Sequence, residues 1–211
     1  MTTTTTTPTT STSGPGTAPD PRPAFASAVE TALAVIDRIR PDQFDDPTPC
    51  TEYDVRQLSM HLMAALNRIA VVGAGGSFTS TPDVVGNVAD ADVPAATRRF
   101  ADQVAVSWAD DAVLGRILEL PWANLPGAVA MMIYVNEVIV HAWDLATATG
   151  QHPIWDDEVV GIAFAAIRRG LPAEGRAGED GRPAAPFADV VPVADDAPLI
   201  DRLVAWNGRR P

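Results

Sequence analysis

Apolar residues recur at three-and-four spacing through Phe25, Ala28, Val29, Ala32, Leu33, Ile36 and Ile39. That period predicts a helix from Pro23 or Ala24 to Arg40, with Pro23 suited to its first turn and Pro41 ending it. A second stripe, Val55, Leu58, Leu62, Ala65, Leu66 and Ile69, predicts a helix from Asp54 to about Val72. Asp54 reads as its N-cap and Gln57 as the capping-box partner three residues on. Gly73-Ala74-Gly75-Gly76 ends it, and residues 73–92 read as a connection. Pro94 opens a third helix that runs through Phe100 and Val104 to about Trp108. Between 109 and 126 the pattern is weak, with Leu118 to Leu120 compatible with an extended segment between prolines.

The fourth helix, about Gly127 to Thr149, is apolar at nearly every position and stops at Gly150. A helix apolar all round is buried on most sides. Asp156 caps a fifth, from Asp157 to Arg169. Residues 170–197 are rich in Gly, Pro and Ala and read as irregular, and Leu199 to Trp206 forms a last short helix. Four long amphipathic or buried helices, with almost no strand pattern, predict an all-α bundle. Residues 1–22 are dominated by Thr, Pro, Ser and Gly and carry almost nothing to bury. They are expected to be a disordered tail, leaving 23–211 as one helical domain with an irregular C-terminal extension.

Composition narrows the partners. The 211 residues are 46% hydrophobic and 20% charged, with 15 basic residues, all Arg, against 27 acidic ones and a net charge of −12. Such a surface repels phosphate backbones, so nucleic acid is not an expected partner, and no basic segment invites an anionic membrane. The apolar stretch from Ala128 to Ala146 contains Asn136, Glu137, His141 and Asp144, so a core helix is expected rather than a membrane span. Cys50 is the only cysteine, and the first residues lack a basic and apolar leader pattern. A cytoplasmic location is therefore expected. A homodimer is compatible with the sequence.

Polar groups inside an apolar helix need compensation. Glu137, His141 and Asp144 fall on one face of the fourth helix. A buried carboxylate without a partner costs several kcal/mol or protonates. A divalent cation held by Glu137 and His141 at i, i+4 satisfies it; so does an ordinary Glu–His hydrogen bond. His61 borders the apolar face of the second helix, either as a hydrogen-bonded core residue or as a third ligand. His152 lies in a Gly-Gln-His-Pro loop and is expected to be exposed. Asp144 either orients His141 or makes a helix-interior hydrogen bond. Cys50 precedes the second helix, where it is either a thiolate favoured by the helix dipole or a small packing residue.

Two segments carry a resemblance. Residues 47–58, Pro-Thr-Pro-Cys-Thr-Glu-Tyr-Asp-Val-Arg-Gln-Leu, followed by His61, resemble the first motif of actinobacterial metal-binding proteins. These are related to mycothiol-dependent maleylpyruvate isomerases, in the DinB/YfiT-like superfamily. Residues 136–151, Asn-Glu-Val-Ile-Val-His-Ala-Trp-Asp-Leu-Ala-Thr-Ala-Thr-Gly-Gln, resemble the second motif, and Asp201 to Pro211 resembles the ending of one branch. Tyr53 stands where the family usually has Trp. The resemblance implies a DinB-like four-helix bundle, here with additional short C-terminal helices, and a metal triad of His61, Glu137 and His141. It further implies a divalent metal, zinc foremost with nickel or iron as alternatives, and mycothiol as a thiol cosubstrate with an unknown acceptor. The expected activity is a metal-dependent thiol transferase or isomerase; the alternatives are a metal-dependent hydrolase, or a non-catalytic module for metal or a small thiol.

Overall fold

The computed structural model describes residues 20–176 and 187–211. Its helices are α1 (Arg22–Ile36), α2 (Val55–Gly73), α3 (Val93–Ser107), α4 (Asp111–Gly115), α5 (Gly127–Ala148), α6 (Asp157–Gly170) and α7 (Leu199–Trp206). The long helices α1, α2, α3 and α5 form the bundle: α1 packs on α5, α2 on α3, α2 on α5 and α1 on α3. Helix α6 lies against α5 and α1, and α7 closes on α6 and α5. The all-α expectation holds, with one small sheet added.

That sheet is an antiparallel hairpin of β1 (Ile117–Leu120) and β2 (Ala123–Pro126). In β1 the exposed Ile117 and Glu119 alternate with the buried Leu118 and Leu120. Four residues are too few for that period to stand out from the sequence, so only part of β1 was foreseen as extended.

Local chemistry explains the other boundaries. Helix α1 ends at Ile36, short of the expected Arg40, and the chain tightens through Arg38 N–H to Val35 O and Ile39 N–H to Ile36 O. Pro41 sterically excludes the helical region for the residue before it, and Arg40 is extended at φ −82°, ψ 152°. The Asp54 cap forms as expected: its carboxylate accepts from Gln57 N–H at 2.7 Å, and Gln57 Oε1 accepts from Asp54 N–H at 3.1 Å. Helix α5 stops where Gly150 turns left-handed at φ +67°.

The expected tail, residues 1–22, lies outside the described residues up to position 19. Its last three positions belong to the fold. Arg22 starts α1, pairs with Asp20 and Asp111, and donates to the carbonyls of Trp108 and Ala109.

Helix α5 is the one described helix long and apolar enough to cross a membrane, but most of it is buried inside the bundle. It is the core helix, and the polar residues it carries are therefore presented to protein rather than to lipid.

Candidate metal centre

Helices α2 and α5 bring His61, Glu137 and His141 together. His61 Nε2 lies 3.2 Å from Glu137 Oε1, and His141 Nε2 lies 3.4 Å from the same oxygen. The two imidazoles meet edge to face, and Tyr53 stacks on His61 with centroids 5.0 Å apart. One donor atom from each of the three residues falls within 4.8 Å of the others.

The outer ring nitrogens are engaged elsewhere. His61 Nδ1 lies 2.7 Å from the carbonyl oxygen of Asp83. His141 Nδ1 lies 3.1 Å from Asp144 Oδ2. Each outer nitrogen faces an acceptor and so carries its proton. In a neutral imidazole the inner Nε2 then presents a lone pair to the Glu137 carboxylate. Lone pair and carboxylate repel each other unless a proton or a cation lies between them.

The donor set fits a small divalent ion. A tetrahedral ion with bonds of about 2.0–2.1 Å sets its ligands roughly 3.3 Å apart, close to both Nε2–Oε1 separations. Two imidazole nitrogens and one carboxylate oxygen suit zinc, nickel or iron(II) alike.

Without an ion, protons compensate. Burial works to raise the Glu137 carboxyl, but His141 and His61 outweigh it and hold it well below the usual carboxylate range. Burial likewise works to lower His141, yet Glu137 and Asp144 push it up to about 9. Access is uneven: the side chains of His61 and Glu137 are 14% and 27% exposed, that of His141 only 6%.

Asp144 is fully buried, and Arg209 grips it with two hydrogen bonds, Nε to Oδ1 at 3.2 Å and Nη2 to Oδ2 at 2.9 Å. Burial works against its charge, but His141 and Arg209 keep it ionised. Asp144 thus lies within hydrogen-bond distance of His141, an arrangement common to both of its foreseen roles, while its partner Arg209 went unforeseen. The apolar run around Asp144 signals that a counter-charge is needed, but no periodicity singles out one arginine among 15.

Asn136, next to Glu137, exchanges amide hydrogen bonds with Asn207 at 3.2 and 2.9 Å. Tyr134, one turn earlier, is buried with its hydroxyl unpaired among the described residues, and burial raises its phenol. Cys50 Sγ reaches donor atoms of His141 and Asp144 within 4.8 Å. Burial pushes its thiol up to about 11, outweighing the nearby Arg209, and so favours the neutral thiol. His152 is exposed, in the loop after α5.

Residues 25–146 match the mycothiol maleylpyruvate isomerase N-terminal domain family. Uncharacterized proteins from two strains of Mycobacterium tuberculosis are each 30% identical over 187 residues, covering 88% of this chain and 96% of theirs. No solved structure matches. The matched segment spans α1 to α5 and so contains His61, Glu137 and His141. The chain belongs to the mycothiol maleylpyruvate isomerase N-terminal domain family.

Proposed function

We propose that this protein holds one divalent metal ion, zinc foremost, through His61, Glu137 and His141, and uses it in a thiol-dependent transfer or isomerisation. The observation that carries the reading is the convergence of two Nε2 atoms, from different helices, on one carboxylate oxygen. Each ring is already engaged at Nδ1, so the convergence leaves both inner nitrogens aimed at one carboxylate oxygen, as the ligands of a shared cation would be. The family supports mycothiol as the thiol.

Three protein ligands leave at least one coordination position for another molecule, whereas structural zinc sites usually take four protein ligands. A bound metal would supply a Lewis acid that stabilises a thiolate at neutral pH. Asp144 would hold the Nδ1 proton of His141 and keep its Nε2 available, as the Asp83 carbonyl would for His61. Cys50 is a poor candidate for the reacting thiol because burial disfavours its ionised form. On this reading the thiol comes from outside the chain.

Elemental analysis of the purified protein beside His61→Ala, Glu137→Ala and His141→Ala tests the metal. We expect about one equivalent in the wild type and little in each variant; metal that survives all three changes overturns the site. Turnover of electrophilic acceptors with added mycothiol and metal tests the reaction. A protein that binds both without product is a binding module rather than a transferase.

A further inference from the structure

The outer nitrogens of the two histidines are held by different parts of the chain, but in the same way. On the α5 side, Arg209 lies beyond α7 and grips Asp144 with a two-point fork, and Asp144 meets His141 Nδ1. The path of this tail is itself fixed. Arg209 Nη1 donates to Asn207 O at 3.0 Å, and Asn207 is paired with Asn136 on α5. On the α2 side, Arg68 stands two turns from His61 and holds the connection after α2. It donates to Thr81 Oγ1 at 3.0 Å, to Pro82 O at 2.8 Å and to the Asp83 carboxylate at 2.6 Å. The main-chain carbonyl of that same Asp83 meets His61 Nδ1 at 2.7 Å.

We propose that Arg209 and Arg68 are positioning residues for the metal centre: each pins a segment outside the four-helix core, and that segment fixes the outer nitrogen of one histidine. The inference rests on the metal reading above. It assigns a task to two loosely patterned stretches, the tail after α7 and the 77–85 connection. Each arginine works through geometry as well as charge. The planar guanidinium engages both carboxylate oxygens of Asp144 at once, which an ammonium cannot do in the same way. Arg68 spans three acceptors on consecutive residues and so sets the height of the Asp83 carbonyl over His61. Groups that orient metal-bound histidines typically change metal affinity by about 10–100-fold when removed.

A purely structural role predicts something different. If Arg209 only neutralised a buried carboxylate, its loss would lower stability and leave the affinity of the folded protein unchanged. The test is therefore titration of metal-free protein with Co(II), following the ligand-field absorption and the calorimetric Kd. The proteins are wild type, Arg209→Ala, Arg209→Lys, Arg68→Ala, Asp144→Asn and the Asp144→Asn/Arg209→Ala double variant. We expect Arg209→Ala and Arg68→Ala each to weaken Co(II) binding by about 10-fold or more, and Arg209→Lys to restore only part of the loss. The double variant should bind no more weakly than Asp144→Asn, because both changes break one chain of contacts. Should Arg209→Ala not fold, Arg209→Lys and Arg68→Ala decide by the same criterion. Folded variants that bind Co(II) as tightly as wild type, or losses that simply add in the double variant, overturn the positioning role alone. A wild type that takes up no metal overturns the metal reading and this inference together.

Discussion

His61 and His141 meet with ring centroids 5.0 Å apart and planes at 83°, the edge of one imidazole against the face of the other. The contact joins α2 to α5 at a polar point of an otherwise apolar core, and Glu137 sits between the two inner nitrogens. A cation shared there would tie the two helices together, so its removal should loosen the bundle without dissolving it. Chelator should lower the melting temperature of metal-loaded wild type and leave that of His141→Ala unchanged. Equal shifts in both proteins would dissociate the stability effect from this site.

Glu137→Gln keeps the shape of the side chain and removes the charge. Metal affinity should fall at least a hundredfold, roughly 3 kcal/mol or more, while the helical circular dichroism stays intact. Calorimetric titration checks the first and far-ultraviolet spectra the second. An unaltered Kd would mean that the carboxylate is not a ligand.

In chelator, stability should depend on pH in a defined sense. The folded value of His141, about 9, is raised above its ordinary 6.5, so its contribution is complete below 6.5 and lost as pH rises through 9. Glu137 is shifted down from 4.5, so its contribution is present above 4.5 and lost as pH falls below that value. The melting temperature in chelator should therefore be highest between these limits and decline toward pH 9. Metal binding requires neutral imidazoles, so the stabilisation given by added metal should grow over the range where the chelated protein weakens. Melting curves at closely spaced pH values, with and without metal, check both trends; a flat profile in chelator between pH 6.5 and 9 contradicts the proton-bridged arrangement.

Cys50 should be a sluggish nucleophile. With its thiol raised from 9.0 to about 11, the thiolate fraction at pH 8 falls about a hundredfold. Alkylation of the native protein should be slower than that of the unfolded chain by at least this factor and should accelerate steadily above pH 9. Rapid labelling at neutral pH would show that the thiol is more open than the geometry implies.

Gly73→Ala sets two effects against each other. Alanine favours a helix by about 1 kcal/mol over glycine. Its Cβ, however, would lie 2.3 Å from Nε1 and 2.5 Å from Cδ1 of Trp108, whose indole is anchored by a 2.9 Å hydrogen bond to Ile69 O. Overpacking of a fixed ring costs typically 1–3 kcal/mol, and the broken indole bond adds to it, so the variant should be destabilised. Chemical denaturation measures the net sign, and a stabilised variant would show that Trp108 moves freely.

The parts of the fold that can be read from the sequence are those governed by local rules. The stripe of α2, the nearly continuous apolar run of α5, the Asp54–Gln57 cap and the Gly150 stop each follow from neighbours within a few residues. The placement of Glu137, His141 and Asp144 on one face follows from helical period alone. That His61 would join them does not, because bringing α2 to α5 is a matter of tertiary packing; the family motifs supplied that expectation. Asp83 and Arg209 were invisible for a sharper reason. The first contributes a main-chain carbonyl, which any residue type carries. The second is separated from its aspartate by a path that includes residues 170–197, where no hydrophobic period constrains the chain.

Helix α5 is apolar over most of its circumference and enclosed on most sides, with its polar face turned to the centre. His141 is fastened to that buried helix, while His61 and Glu137 retain contact with solvent. An incoming small molecule would meet Glu137 and His61 before His141, which lies deepest of the three. Were an ion held there, His141 would anchor it to the buried helix while His61 and Glu137 faced whatever arrives from solvent.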